Sequence, residues 1–487
     1  MTRKFLIVGL DGLRPDLVRP DLTPNLARLR EEGAVLGRHR SIFPSESFPA
    51  WVSITTGCQP SEHGIVANDF WDPALMPQDV LAAGRPENVD LTIDRPLGAK
   101  PAANPVIQVP GLAEILAQHG LTMAVISGSL GGSRLWNPNP QKLGSFVFCC
   151  QSPQTSVPQQ QIARVIDKLG PPPPRKAPDR DRLTYQTRVF LEHVWPELTP
   201  DVTLLWFDEP DESSHKFGVN GDNTREALRL ADEKVGLLIE WQRAHENCQL
   251  IVLSDHGHVQ QAADRTIDVL GSLRSAGFNV SSAPSDRGDI LLLPGHVGQI
   301  YIRNRSRVAL SSIVIYLSEQ PWCGSMLAKD SNVPDGCLPA SYLKANHARS
   351  ADLIYTLNSF GQEATQTRCW HEAATGKPGG YHGGLHPLEM SCIGIFLGNA
   401  FRPNHMSELY SGLTDIAPTI LAALSIRVPD SMTGRILHEI TSADETAPPR
   451  SPEVCVHSAA IGDYRQFLRT ASVDGTSYVD CGWRDLQ

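Results

Sequence analysis

The sequence predicts an α/β fold built on a doubly wound, mostly parallel sheet, and two observations carry that expectation. Five short apolar runs, at residues 5–10, 121–127, 202–207, 249–253 and 392–397, are each bounded by Gly, Asp or Ser. They lack the alternation of a half-solvated strand and suit strands covered on both faces. Between them lie stretches with helical spacing of apolar residues, and strands alternating with helices wind a sheet of this kind.

Each element has its own signal. The first run, Phe5-Leu6-Ile7-Val8-Gly9-Leu10, ends in Asp11-Gly12 and reads as a strand. It is too short for a secretory apolar segment, and no small-residue cleavage site follows it. A helix begins at Thr23-Pro24, carries Leu26 and Leu29 at helical spacing, and stops at Gly33. Pro49 fits an early helical position in a second helix that runs through Trp51 to Gly57. Residues 223–245 form a long amphipathic pattern with Leu228, Leu230, Ala231 and Val235 on one side, and residues 414–424 form another helix. Two stretches break the alternation. Residues 151–182 hold a Gln cluster and Pro171–Pro174, read as a polyproline spacer or surface loop, and residues 322–377, rich in Ser, Gly and Asn, read as an insertion or lid. Asp474-Gly475 between apolar residues signals a hairpin near the end of the chain.

The chain has 487 residues, 43 Lys+Arg against 53 Asp+Glu, and a formal charge of -10. With 41% hydrophobic and 20% charged residues it has enough apolar matter for a large core. The acidic balance argues against a nucleic-acid polymer or an anionic membrane as partner, because both require a basic face. A small anionic substrate remains compatible, since bound cations invert the local potential. No apolar run approaches the ~20 residues of a membrane span, and the expected compartment is the cytoplasm. Ten cysteines without paired C-x-x-C spacing describe neither a disulfide scaffold nor a zinc ribbon.

Asp and His gather where the strands end. Asp11 follows the first strand, Asp211 and His215 follow the run at 202–207, Asp255-His256 follows the run at 249–253, and His382 precedes the run at 392–397. In an open α/β sheet the carboxyl ends of the strands face one crevice, so these six residues can converge. Singly, an Asp at a strand end is usually a helix cap, and Asp211–His215 at i,i+4 is an ordinary helical pair. Together, three carboxylates and three imidazoles suit Zn, Mn or Fe better than Ca, and six ligands exceed what one tetrahedral ion needs. Ser47 falls at the start of the helix containing Pro49. There it is either an N-cap or a nucleophile with an anion-binding helix end beside it.

Several segments resemble the type I phosphodiesterase/nucleotide pyrophosphatase family of the alkaline phosphatase superfamily. They are F-L-I-V-G-L-D-G-L-R-P-D (5–16), T-P-N-L-A-R-L-R-E-E-G (23–33) and F-P-S-E-S-F-P-A-W-V-S-I-T-T-G-C-Q-P-S-E-H-G-I-V-A-N (43–68). Further matches are E-P-D-E-S-S-H (209–215), S-D-H-G (254–257), G-Y-H-G (380–383) and P-D-S-M-T-G-R-I-L (429–437). The resemblance implies an alkaline phosphatase-like catalytic domain over residues 1–437, with an inserted cap or lid at about 322–377 and a C-terminal extension at 438–487. It implies two divalent ions, zinc first, with manganese or iron as alternatives. Asp211, His215 and His382 would hold one; Asp11, Asp255, His256 and the nucleophile Ser47 would hold the other. Asn68 matches the residue that hydrogen-bonds a phosphoryl oxygen, and Phe48 the aromatic beside the nucleophile, which either stacks on substrate or packs in the core. The family usually has Thr where this chain has Ser47, and often Asn where it has Ala50. Cys58-Gln59-Pro60-Ser61 mimics a sulfatase motif but is followed by Glu62 instead of Arg.

The implied activity is hydrolysis of phosphodiester or pyrophosphate bonds in a small nucleotide-like substrate through a phosphoserine. The alternatives are a phosphonoacetate-type C–P hydrolase or a phosphomonoesterase on the same ligands, and, with less support, a phosphomutase. Partners are then a small phosphoester or phosphonate, with no nucleic-acid polymer and no membrane. The oligomeric state is left open, a homodimer included.

Overall fold

A computed structural model describes residues 3–82, 106–303, 307–361, 363–442 and 451–485. Its central sheet has eight strands: β1 (Lys4–Leu10), β2 (Ala34–Arg40), β3 (Met123–Ser127), β4 (Phe146–Cys149), β5 (Val202–Phe207), β6 (Cys248–Leu253), β7 (Gly394–Leu397) and β8 (His405–Gly412). Their spatial order is β8-β2-β7-β6-β1-β5-β3-β4. All pairings are parallel except those of β7, which runs antiparallel to both β6 and β2. The apolar runs are strands because every side chain in β1 from Phe5 on, and all of β5 and β6, is buried. Such strands need helices on both faces.

Most of those helices come from the predicted stretches; the one at Gln159–Leu169 does not. On one face lie α1 (Pro24–Glu32), α3 (Gln159–Leu169) and α5 (Asp222–Arg243), packing Leu26, Ile162, Leu228 and Val235 against Leu6, Val8 and Leu205. On the other lies α2 (Ser47–Thr56), packing Ala50, Trp51 and Ile54 against Ile7, Leu204 and Ile251. Gly9 is required where the two meet, since a Cβ there would stand 1.8 Å from the Trp206 ring.

Two expectations change. The Gln cluster at 159–161 opens α3 instead of extending a spacer, because Ile162 and Val165 give that helix a buried stripe. Residues 322–377 are no separate lid. They supply three strands, Cys323–Ala328, Leu338–Pro339 and Leu353–Leu357, to a six-stranded sheet that already includes Val280–Ser281, Ile290–Leu293 and Val297–Ile302. That sheet has its own core around Ile300, Ile313, Met326 and Tyr355. The chain end is a three-stranded antiparallel sheet over Glu453–Ile461, Tyr464–Val473 and Thr476–Arg484, turning at Asp474 and Gly475, both at positive φ, as the hairpin signal requires. It is clamped to both larger sheets. Gln466 bonds the Met326 backbone, Arg40 Nε reaches Asp480 Oδ1 at 2.7 Å, and Tyr478 OH donates to Asp415 Oδ2 at 2.9 Å.

Among the described residues no helix is long and apolar enough to cross a membrane. All ten cysteines are free.

Candidate metal-centred active site

The topology explains the convergence. β5 and β6 flank β1 in parallel, so Asp11, Asp211 and Asp255 leave the sheet at one edge. α4 (Asp211–Phe217) starts there, its first N–H donating to the Asp11 carbonyl at 3.1 Å. Because β7 is antiparallel, the segment before it, with His382, arrives at the same edge. Gly380–Tyr381 pairs with Val259–Ile267 in the register Tyr381↔Val259, which sets His382 beside His258. Ser45 holds this loop against the start of α2: its carbonyl lies 2.8 Å from His382 Nδ1 and its hydroxyl bonds Gly383 and Gly384.

Two overlapping ligand clusters result. Asp211 Oδ1 faces His215 Nε2 at 3.2 Å, His382 Nε2 at 3.5 Å and His258 Nε2 at 2.9 Å. His256 Nε2 faces Asp11 Oδ1 at 3.4 Å, Asp255 Oδ2 at 3.5 Å and Ser47 Oγ at 3.1 Å. All seven expected ligands are thus together, and Asp211 belongs to both groups. Asp255 is the most restrained, accepting from Gly12 N, His256 N and Trp51 Nε1. Ser47 is the first residue of α2 and does not cap it; Glu46 precedes the helix, and the Ser47 hydroxyl turns to His256.

His258 is absent from the expected set. Its signal was the second His in Ser254-Asp255-His256-Gly257-His258, one residue beyond the recognised motif.

The electrostatics match a cation site. Burial, then Asp255 and Asp211, raise the Asp11 carboxyl well above the usual range, and burial lifts Asp255 to about 7. Burial pushes Asp211 the same way, but His215 and His258 overcome it and hold that carboxyl well below its ordinary value. Burial lowers His256 to about 4, and burial with His256 beside it holds His382 well below its ordinary value.

Asn68 is fixed twice. Its N–H donates to Glu46 Oε2 at 2.5 Å, and its Oδ1 accepts from Phe48 N at 2.9 Å, which leaves the Nδ2 amide as donor. It lines a cleft of about 360 Å³ together with Glu46, His215, His296, Tyr381 and His382, a volume suited to a small molecule. Phe48 is half-buried and edge-on to Trp51, with ring centroids 5.1 Å apart. Trp206 and Phe207 are core residues, Trp206 donating to Asp11 Oδ2 at 3.1 Å. Arg14 binds Asp16 through two bonds and the His258 carbonyl, so it braces the loop instead of facing the cleft.

With this geometry in hand, the family comparison is decisive: the type I phosphodiesterase/nucleotide pyrophosphatase pattern matches residues 5–384. The chain belongs to this family.

Among relatives, venom phosphodiesterase 2 of Crotalus adamanteus is 24% identical over 290 residues, covering 58% of this chain and 30% of the venom enzyme. The chain therefore corresponds to less than a third of that relative's length. The bis(5'-adenosyl)-triphosphatase ENPP4 of Pongo abelii is 24% identical over 320 residues, covering 65% of this chain and 60% of its own. Among solved structures, murine ectonucleotide pyrophosphatase/phosphodiesterase 5 superposes with a TM-score of 0.60 at 19% identity, over 88% of this chain and 96% of its own. An inactive variant of that murine protein has been solved with AMP.

The residues of this family member fit divalent ions. Asp11 Oδ1 is buried without a hydrogen-bond partner. His256 and His382 each place Nδ1 on a backbone carbonyl, Gly257 and Ser45 respectively, which turns the Nε2 lone pair toward the carboxylates. The buried acids Asp11 and Asp255, the half-buried Asp211 and four imidazoles supply the mixed O/N donors that zinc-like ions take.

Proposed function

We propose that the protein is a metal-dependent hydrolase of phosphodiester or pyrophosphate bonds in a nucleotide-like small molecule, working through a phosphoserine on Ser47. The observation that carries this reading is the Ser47 hydroxyl at the first turn of α2, 3.1 Å from a His256 Nε2 that itself lies 3.4 Å from Asp11 Oδ1. A hydroxyl so placed is a nucleophile, and the helix N-terminus behind it favours the anion it attacks. Asp11, Ser47, Asp255 and His256 would hold one divalent ion, and Asp211, His215 and His382 the other, with zinc the first choice and manganese or iron next. Such ions supply a lowered hydroxyl pKa and neutralise charge on the transferring phosphoryl group.

The chain's own residues do the rest. Ser47 Oγ attacks phosphorus in line, and the leaving oxygen departs on the opposite side, toward the Asp211 cluster. Asn68 Nδ2 donates to a non-bridging oxygen. Water entering from the vacated side then breaks the Ser47 Oγ–P bond, releasing a phosphomonoester that keeps its remaining organic group and returning the proton to Ser47. Among the described residues lining the cleft there is no Lys or Arg, which supports a diester over a dianionic monoester.

The test is turnover of bis-p-nitrophenyl phosphate, p-nitrophenyl phosphate, a nucleoside p-nitrophenyl phosphate and phosphonoacetate, with and without chelator, by wild type and Ser47→Ala. Diester or nucleoside turnover that needs metal and vanishes in Ser47→Ala is the expected result. A monoester or phosphonoacetate preference would replace the substrate class, and activity surviving exhaustive chelation would remove the metal site.

A further inference from the structure

His258 belongs to the site by geometry, although no expected role accounts for it. Its ring is buried, with centroids 5.4 Å from His215, 5.4 Å from His256 and 5.1 Å from His382. Nδ1 lies 3.0 Å from the Gly12 carbonyl oxygen. A carbonyl only accepts, so Nδ1 carries the proton, and in the neutral ring Nε2 presents a lone pair. That lone pair points at Asp211 Oδ1, 2.9 Å away, which is itself an acceptor. Two acceptors face each other across the gap where His215 and His382 also aim their Nε2 atoms. The backbone is shaped to admit this ring: Gly12 has φ +69, and a Cβ there would stand 2.1 Å from His258 Cε1.

The geometry points to His258 as a fourth protein ligand, through Nε2, of the ion held by Asp211, His215 and His382. The inference rests on the metal-dependent reading above and sharpens it. Three imidazoles and a carboxylate already complete a tetrahedron. An ion at this position that also accepts a substrate oxygen or water must therefore take five or more ligands. The site accordingly favours ions that accept such coordination readily, such as manganese, iron or cobalt, alongside zinc that expands beyond four.

Two measurements test it, the first without any mutation. In a crystal structure of the zinc-loaded wild-type protein, with ions located by anomalous scattering, the ion at Asp211, His215 and His382 should lie about 2.0–2.1 Å from His258 Nε2. An ion bound by those three residues, with His258 Nε2 more than about 3 Å away, would overturn the assignment and leave the hydrolase reading standing. No ion at either cluster would overturn both. The second measurement is zinc competition against a chromophoric chelator, together with the cobalt d–d absorption of the same proteins. His258→Gln and His258→Ala should keep two equivalents at saturation, weaken one at least about tenfold, and change the cobalt band shape. Circular dichroism of the metal-free proteins establishes that both variants are folded. Unchanged affinity with an unchanged cobalt spectrum in a folded variant would refute the fourth ligand.

Discussion

Trp51 Nε1 donates to Asp255 Oδ2 at 2.8 Å, joining the helix that begins with Ser47 to the carboxylate that follows β6. Both groups are buried, so the bond fixes the distance between the helix of the proposed nucleophile and the proposed ligand without competition from water. Trp51→Phe keeps the ring packing against Trp136 and Trp206 and removes only the donor. We expect metal affinity to fall by about 10–100-fold and stability by about 1–3 kcal/mol. Zinc titration and urea unfolding measure the two, and a variant indistinguishable from wild type in both would refute the coupling.

Asn68 should matter to the reaction and little to the fold. Asn68→Asp keeps the acceptor for Phe48 N–H but lacks the Nδ2 donor and brings a negative charge to the cleft. The expected loss is about 10²–10³ in kcat, with two metal equivalents retained. Steady-state kinetics alongside metal analysis decides this. A rise in KM alone would mean that Asn68 binds ground state and transition state equally.

His63 is a neutral buried histidine whose state the geometry enforces. Nδ1 accepts from Ile65 N at 3.2 Å, so Nε2 must be the atom that donates to Ser53 Oγ at 3.0 Å. A second ring proton would face the Ile65 N–H. Burial, with His347 nearby, lowers this imidazole to about 3. Above the ordinary histidine pKa of about 6.5 neither folded nor unfolded chain is protonated here. As pH falls below that value the unfolded chain takes the proton and the folded chain does not, so stability is lost on acidification. His63→Gln can reproduce both bonds without titrating. The wild-type advantage over it should shrink by up to about 2 kcal/mol from pH 6.5 to pH 5. Urea midpoints at the two pH values give the answer, and an advantage equal at both would show that His63 titrates normally.

Tyr478 should be the anchor of the C-terminal sheet. Its hydroxyl donates to Asp415 Oδ2 and accepts from Arg435 Nε, each at 2.9 Å, with all three side chains buried. Tyr478→Phe leaves the buried Arg435 Nε–H without its acceptor and Asp415 Oδ2 with the Gly412 N–H alone of its two bonds, and the expected cost is about 1–3 kcal/mol. Thermal unfolding with substrate turnover measured in parallel is the check: the melting temperature should fall while kcat at 25 °C holds.

Five strands of the central sheet were legible because they are buried and written as unbroken apolar runs, whereas Ala34–Arg40 and His405–Gly412 carry exposed residues that break the run. Six of the candidate ligands were legible because strand ends in such a sheet share one edge, and Ser47 because it opens a helix within a family-like segment. The six-stranded sheet was harder to see. Two of its strands, Val280–Ser281 and Leu338–Pro339, have only two residues, and Cys323–Ala328 changes register between Cys323 and Met326. No period survives such interruptions. α3 was obscured by the Gln residues of its first turn, of which Gln159 and Gln160 face solvent while Ile162 and Val165 carry the packing. His258 escaped because its meaning comes from a register, Tyr381↔Val259, formed by segments more than a hundred residues apart.

The distance along the chain between Asp11 and His382 also sets a timetable. A ribosome adding about 5–20 residues per second needs roughly 20–75 s to travel from the first ligand to the last. Within that interval the grouping does not exist, because it needs β1, β5 and β6 paired and the segment before β7 in place, so capture of the proposed ions would have to follow the making of His382.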